Sequence, residues 1–176
     1  MANILFLNAS NSSRSIHKVV LDALNPLLNQ HNITYSSILD YDLPFYSEDK
    51  EREQGHPPAA KDFVELLHKQ DIILLACPEH NGAPPAEFKN LYDWGTRVAA
   101  AASKSLFNQR KVIIITTSGG ERGGATVANY LSTITPYHGA NVVGTHSIAK
   151  FYENFVDGVP SDSAKNLLQA IANDVA

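Results

Sequence analysis

The feature that most constrains the fold is an apolar run at residues 71–76, Asp-Ile-Ile-Leu-Leu-Ala. It has the length of a β-strand and no polar interruption after its first residue, which is typical of a parallel strand buried on both faces. Pro84 and Pro85 follow, where the first turn of a helix tolerates residues without an N–H. The stretch therefore predicts a strand, a tight loop and a helix. Residues 78–82 would lie at the carboxyl end of the strand, the edge at which open α/β sheets bind ligands.

The alternation of strand and helix patterns extends along the whole chain. The predicted strands cover residues 3–7, 33–39, 71–76, 111–117 and 141–148. The predicted helices cover residues 16–28, 59–69, 84–104, 125–137 and 161–174. Short crossovers force parallel pairing and right-handed connections. We therefore expect one α/β domain over residues 1–176, a flavodoxin-like doubly wound five-stranded parallel sheet of strand order 2-1-3-4-5 with helices on both faces.

Residues 41–58 show neither the strand pattern nor the helix pattern. They are polar and turn-rich, with the charged run Ser-Glu-Asp-Lys-Glu-Arg-Glu at residues 47–53. A long loop in a compact domain is usually a functional lid or a mobile segment. For the middle of this loop, a solvated charge run is an equally good interpretation.

Charge and composition exclude several classes of protein. The net charge is -4 and the 14 lysines and arginines are spread along the chain, so the basic footprint of a nucleic-acid-binding protein is absent. No apolar run approaches membrane-spanning length and residues 1–3 lead straight into a strand, so we expect neither a membrane span nor a signal peptide. The single cysteine, Cys77, fits a reducing compartment, and we expect a cytoplasmic location. The seven histidines lack metal-ligand spacing, so no metal site is expected.

The loop after the first predicted strand is rich in small hydroxyl residues. It reads Asn-Ala-Ser-Asn-Ser-Ser-Arg-Ser at residues 8–15 and opens directly onto a helix. The exposed N–H groups and positive end of a helix attract an anion, for which phosphate is the natural candidate. The alternative is that Ser15 is only the N-cap of the helix. The position of the loop after the first strand of an α/β sheet favours the anion site.

Other nucleotide-binding and hydrolytic motifs are missing. The Gly-x-Gly-x-x-Gly fingerprint does not follow the first strand, and no Gly-x-Ser-x-Gly elbow is present. Residues 119–124 have the glycine spacing of a Walker loop, but Ala125 stands where its lysine must be. A receiver domain would need acidic residues at the ends of the first and third strands, where Asn8 and Ala76 stand.

Several stretches together carry a family resemblance that spans nearly the whole chain. They are residues 8–17, 42–46 (Asp-Leu-Pro-Phe-Tyr), 78–82 (Pro-Glu-His-Asn-Gly), 89–94 (Lys-Asn-Leu-Tyr-Asp-Trp) and 118–120 (Ser-Gly-Gly). The chain resembles the NADPH-dependent FMN reductase family, with its azoreductase-like, quinone reductase-like and chromate reductase-like enzymes. The resemblance implies a flavodoxin-like fold, noncovalently bound FMN and hydride transfer from a nicotinamide cofactor through the flavin to an acceptor.

Two loops depart from the pattern of the family. Its first loop usually reads Gly-Ser-x-Arg-x-x-Ser-x-Asn, and here Ala9 and Ser12 replace the glycine and the arginine. Arg14 lies close enough in the sequence to substitute for that arginine. The aromatic of the second loop is often Tyr, and here it is His80.

The resemblance implies a cofactor site built from three loops, with no catalytic side chain because the flavin carries the chemistry. The FMN phosphate is expected at the first loop, the isoalloxazine along the second and the far edge of the ring at the third. The implied cofactor-binding residues are Ser10, Ser12, Arg14, Ser15, Ile16, His17, Pro78, Glu79, His80, Asn81, Gly82, Ser118, Gly119 and Gly120.

Several of these residues also have structural interpretations. Glu79 is favoured as a cap of the third helix over a catalytic residue. His80 is expected to pack or hydrogen-bond, although proton donation stays open. Cys77 is interpreted as a small buried residue, since nothing cationic adjoins it in the sequence. The side-chain amide of Asn81 is expected to contact the flavin.

Two functions of different class remain open. The first is an NAD(P)H-dependent FMN reductase, using NADPH or NADH to reduce a small-molecule acceptor such as a quinone, azo compound, free flavin or metal oxyanion by a ping-pong route. The second is an FMN-binding electron carrier or sensor without nicotinamide turnover. The modest net charge of -4 disfavours the carrier, which would use a strongly acidic face for steering.

The third helix predicts an association surface. Trp94 is placed at the outer edge of this helix, next to the small side chains of Ala100 and Ala101. A large aromatic side chain beside small residues is a common interface anchor, so a homodimer or homotetramer is expected. The alternative is that Trp94 closes the edge of the core of the monomer itself.

Overall fold

A parallel sheet forms the centre of the molecule. The computed structural model describes residues 1–175, so the last residue of the predicted domain lies outside it. The strands of the sheet are β1 (Asn3–Asn8), β2 (Asn32–Ser37), β3 (Ile72–Ala76), β4 (Lys111–Thr117) and β5 (Asn141–Ile148). All neighbouring strands pair in parallel, in the order β2-β1-β3-β4-β5. The flavodoxin-like fold and the predicted strand order are therefore confirmed.

Helices cover both faces of this sheet. They are α1 (Ile16–Leu24), α2 (Glu48–Gln54), α3 (Pro58–His68), α4 (Ala86–Ala101), α5 (Ala125–Ile134), α6 (Phe151–Asn154) and α7 (Asp162–Asn173), and a hairpin of β6 (Phe155–Val156) and β7 (Val159–Pro160) precedes α7. Phe63, Phe88 and Val127 of α3, α4 and α5 pack on one face. Val20 of α1 and Leu168 of α7 pack on the other, so β3 is buried on both sides. Among the helices of residues 1–175, none is long and apolar enough to cross a membrane.

Two helices end earlier than the apolar periodicity predicts. Helix α1 gives way to a 3₁₀ turn at Asn25–Leu27, and α5 gives way to one at Thr135–His138. Both turns carry a proline near their start, Pro26 and Pro136. Proline lacks the N–H that an α-helix needs in its interior. The hydrophobic spacing continued past both prolines, which is why it overestimated the length of the helices.

The segment between β2 and α3 is not the structureless loop that the sequence predicts. Its charged run forms α2, and the Ser47 hydroxyl caps this helix by accepting a hydrogen bond from Lys50 N. The carboxylate of Glu51 accepts hydrogen bonds from Tyr46 Oη at 3.0 Å and from Arg97 Nε of α4 at 2.9 Å, and it contacts His56 Nε2 at 3.1 Å. Burial opposes ionisation of Glu51, but these partners together lower its pKa below the usual value. The carboxylate of Glu51 thus joins the segment to α4.

Trp94 lies inside the monomer. Its side chain is 1% exposed, its Nε1 donates to Pro44 O at 2.8 Å, and its ring meets Tyr46 edge to face at a centroid distance of 5.1 Å. The prediction that Trp94 lies on an outer surface is therefore wrong. Helical geometry placed Trp94 on the side of α4 away from the sheet, but it could not show that residues 44–46 cover that side.

Candidate functional site

A cleft of about 290 Å³ opens at the carboxyl ends of β1, β3 and β4. Its lining contains every predicted site residue except Asn81, Gly82 and Gly120, together with Thr117 and Tyr152, which the sequence did not indicate. The lining residues are Ser10, Ser12, Arg14, Ser15, Ile16, His17, Pro78, Glu79, His80, Thr117, Ser118, Gly119 and Tyr152. The three loops that leave this edge of the sheet thus converge on one space.

Ser10 and Ser12 of the first loop line the cleft. Ser10 Oγ accepts a hydrogen bond from Ser12 N at 3.2 Å, and Ser12 Oγ accepts one from Arg14 N at 3.2 Å. Neither hydroxyl donates to an acceptor within residues 1–175. Since a hydroxyl can donate as well as accept, Ser10 and Ser12 each retain one donor for a ligand.

Ser15 differs from these two serines because its hydroxyl hydrogen already has an acceptor within the protein. It is buried, donates to Asn8 Oδ1 at 3.1 Å and accepts from Lys18 N at 3.2 Å. It is the N-cap of α1, with extended backbone geometry. The interpretation of Ser15 as an N-cap is confirmed.

The start of α1 supplies further donors. The backbone N–H groups of Ile16 and His17 have no acceptor in the described part of the chain, as expected for the first turn of a helix. The exposed guanidinium of Arg14 likewise forms no hydrogen bond or ion pair with any described residue. Free N–H groups, two hydroxyls and an unpaired cation at a helix N-terminus fit a phosphate group.

The side chain of His17 binds the sheet instead of carrying charge in the cleft. His17 is 2% exposed, its Nε2 accepts a hydrogen bond from Thr117 N at 3.2 Å, and its ring also hydrogen-bonds the backbone of Cys77. Burial lowers its pKa from 6.5 to about 4. The ring is therefore neutral near pH 7, and it links α1 to the ends of β3 and β4.

The second loop contains a tight hairpin turn. His80 N donates to Ala83 O at 2.8 Å and Ala83 N donates to His80 O at 3.1 Å, while Asn81 and Gly82 have φ of 53° and 80°. Two central residues with positive φ define a type I′ turn, for which Asn-Gly is the preferred sequence. Asn81 stands at the exposed tip and is not part of the cleft lining. Its identity follows from the turn, whereas a contact between Asn81 and the flavin remains a prediction.

Glu79 caps a helix, but not the one that the sequence predicts. Its Oε2 accepts hydrogen bonds from Thr126 N at 3.0 Å and Val127 N at 3.3 Å, both in the first turn of α5. The N-cap position of α5 is Gly124, which has no side chain to cap it. The sequence assigned Glu79 to the third helix, the observed α4, because that helix comes next along the chain. The carboxylate instead crosses to the neighbouring helix.

The thiol of Cys77 is inert in this arrangement. Cys77 is fully buried, and burial raises the pKa of its thiol. Its Sγ donates a weak hydrogen bond to Pro78 O at 3.6 Å. The interpretation of Cys77 as a small buried residue is confirmed.

A family model, proteins of related sequence and solved structures all match this chain. The model of the family described as NADPH-dependent FMN reductase matches residues 2–153. A protein of Mycoplasma pneumoniae is 32% identical over 152 residues, covering 86% of this chain and 89% of that protein. A quinone reductase of Escherichia coli is 29% identical over 102 residues, which span 58% of this chain and 52% of that enzyme. The solved structure of FerB, a flavoenzyme NAD(P)H:(acceptor) oxidoreductase from Paracoccus denitrificans, aligns over 99% of this chain and 96% of its own, with a TM-score of 0.77 and 22% identity.

The protein is therefore a flavodoxin-like oxidoreductase, and it belongs to the NADPH-dependent FMN reductase family. Membership confirms the predictions of an NAD(P)H-dependent, FMN-containing enzyme. The cleft fits this cofactor. The hydroxyls of Ser10 and Ser12, the guanidinium of Arg14 and the N–H groups at the start of α1 are donors without a partner among the described residues, and they belong to one loop and the helix that follows it.

Proposed function

We propose that this enzyme oxidises NADPH or NADH and reduces a quinone, azo compound, free flavin or metal oxyanion, with FMN held in the cleft. The observation that carries the proposal is the group of free donors at the start of α1. When bound, FMN supplies the hydride chemistry, and the protein contributes binding and orientation. The names of the relatives, which include quinone reductases and an azoreductase, support a small-molecule acceptor.

The role proposed for the first loop follows from its unused hydrogen-bond donors, and the other two loops take the rest of the cofactor. The hydroxyls of Ser10 and Ser12, the N–H groups of Ile16 and His17 and the guanidinium of Arg14 would hold the phosphate. The remaining lining residues of the second and third loops would hold the ribityl chain and the ring. They are Pro78, Glu79, His80, Ser118 and Gly119.

The electron donor and the acceptor would use one site in turn. The cleft lies at one edge of the sheet, between loops that all leave that edge, so both substrates would approach the cofactor from the same side. Such an enzyme follows a ping-pong route, in which the first product leaves before the second substrate binds.

Three measurements test the proposal. Apoprotein is titrated with FMN and FAD, and the flavin released from denatured holoprotein is identified by chromatography; we expect FMN and little FAD. Steady-state oxidation of NADPH and NADH is followed with menadione as acceptor, and parallel initial-rate patterns are expected. Uptake of FMN without nicotinamide oxidation would favour the electron carrier or sensor, and intersecting patterns would contradict the ping-pong route.

We also propose that the chain forms a homodimer or homotetramer, through a surface other than Trp94. The surface to be tested is that of Phe45, whose large apolar side chain is 72% exposed and whose neighbours Pro44 and Tyr46 hydrogen-bond Asn90 of α4. Light scattering at micromolar concentration tests the state of association, and Phe45→Ser is expected to weaken it. A wild-type monomer would contradict the proposal.

A further inference from the structure

Tyr152, like Thr117, is a lining residue of the cleft that neither the predicted site nor the proposed roles include. It lies on α6, beyond the end of β5, and its side chain is 70% exposed. It borders the cleft beside Gly119, and Ser118 and Arg14 are part of the same lining. Its hydroxyl has no hydrogen-bond partner among residues 1–175. An exposed aromatic ring at the border of a ligand cleft is available for contact with a ligand.

The position of this ring is fixed by the residues beside it. Phe151 is 5% exposed and stacks on Phe155, with ring centroids 4.9 Å apart and an interplanar angle of 11°. The ring of Tyr152 meets Phe151 edge to face at 5.4 Å. Because Phe151 and Phe155 belong to the buried core beneath α6, Tyr152 has a firm support although its own side chain is exposed.

The backbone joins Tyr152 to the third loop of the site. Phe151 N donates to Ser118 O at 2.9 Å, and Lys150 N donates to Gly120 O at 3.0 Å. Lys150 Nζ also pairs with Glu121 Oε1 at 3.0 Å. The loop after β4 and the turn into α6 therefore form one connected border of the cleft.

Gly119 allows the ring to lie close to this loop. A Cβ atom at position 119 would stand 3.0 Å from Cε2 and 3.2 Å from Cδ2 of Tyr152, closer than nearly all side-chain contacts. Any larger residue at this position would displace the ring. The Ser-Gly-Gly sequence of the third loop thus makes room for Tyr152, besides any approach of the loop to a ligand.

We propose that the ring of Tyr152 contacts the FMN held in the cleft and forms the wall of the site on the β4–β5 side. This inference rests on the proposed function, because it assumes that FMN occupies the cleft. The aromatic ring makes this contact with the cofactor, and the tyrosine hydroxyl is not required for it. Aromatic rings in contact stabilise each other beyond the area they bury.

The test compares dissociation constants for FMN, measured by titrating apoprotein. Tyr152→Ala is expected to weaken binding about tenfold, the size expected for one aromatic contact and its buried area. Tyr152→Phe should bind within about twofold of the wild type, because it retains the ring. The matched control is Tyr137→Ala, which removes an 83% exposed tyrosine from the turn before β5, away from the carboxyl edge. Thermal unfolding of the apoproteins verifies that the variants are folded.

The outcomes separate this inference from the proposed function. A wild type that takes up no FMN would contradict both. A wild type that binds FMN, with unchanged affinity in Tyr152→Ala, would overturn the role of Tyr152 alone. Equal losses in Tyr152→Ala and Tyr152→Phe would also overturn it, because the hydroxyl and not the ring would then make the contact.

Discussion

Replacing Glu79 with alanine should destabilise the apoprotein through α5, a helix on which Glu79 does not lie. Glu79 Oε2 accepts from the N–H groups of Thr126 and Val127, at 3.0 and 3.3 Å. The N-cap position of α5 is a glycine in left-handed conformation, so no local side chain can replace this carboxylate. The substitution would leave the first N–H groups of α5 without their partner.

The magnitude follows from two terms. Loss of a capping side chain costs about 1 kcal/mol, and loss of a negative charge at a helix N-terminus costs about 0.3–1 kcal/mol. The side chain of Glu79 is only 14% exposed, so solvent screens these interactions weakly. We expect a loss of about 2 kcal/mol in the free energy of unfolding, or a decrease of about 4–8 °C in Tm for a chain of this size.

The assay is urea unfolding of the apoprotein, so that effects on cofactor binding do not enter. Glu79→Gln keeps an acceptor without the charge, and its loss should lie between those of the wild type and Glu79→Ala. Arg122→Ala is the matched control, because the Arg122 side chain is 74% exposed and its ion pair with Glu79 should contribute less than about 1 kcal/mol. A loss below about 0.5 kcal/mol in Glu79→Ala, or an equal loss in Arg122→Ala, would refute the capping role.

Three further predictions concern the cleft and α4. Lowering the pH from 7 to 4 should reduce the free energy of unfolding by about 3 kcal/mol through His17, because the unfolded chain binds a proton near pH 6.5 whereas the folded ring binds one only near pH 4. Urea unfolding of the wild type and of His17→Gln at both pH values measures this contribution, and the variant should lack it. Ser12→Ala should weaken FMN binding with little change in stability, whereas Ser15→Ala should cost about 1 kcal/mol of stability and weaken FMN binding less. Equal losses of FMN affinity in the two variants would contradict the assignment of Ser12 to the phosphate and of Ser15 to the helix cap. Trp94→Ala should cost about 3–5 kcal/mol in urea unfolding because the side chain is 1% exposed, and a change only in light scattering would restore Trp94 as an interface residue.

The sequence predicted the sheet well because each strand can be recognised from its own residues. The buried strands are continuous apolar runs, and the bounds of β4 and β5 match the predicted residues. The cleft could be predicted because parallel strands bring their carboxyl ends to one edge. The Asn81-Gly82 turn also had a local signal, since Asn-Gly between two paired residues is typical of a type I′ hairpin.

The partners of the polar side chains could not be predicted in the same way. His17 and Thr117 lie 100 residues apart, and Glu79 and Thr126 lie 47 residues apart. Hydrophobic periodicity describes which face of an element is buried, but it does not describe which polar groups meet across elements. Tyr152 had no signal at all, because its position depends on the packing of Phe151 and on the backbone of the third loop.

Two of the helices that begin at the carboxyl edge of the sheet, α1 and α5, differ in one respect that bears on the choice of cofactor. Among residues 1–175, the N–H groups at the N-terminus of α1 and the nearby cation of Arg14 have no partner, whereas the N-terminus of α5 is occupied by the carboxylate of Glu79. A phosphate at α5 would have to displace this carboxylate and would be repelled by it. Of these two helix starts, only that of α1 therefore offers a phosphate position. FMN carries one phosphate and FAD carries two, so this asymmetry favours the proposed selection of FMN over FAD.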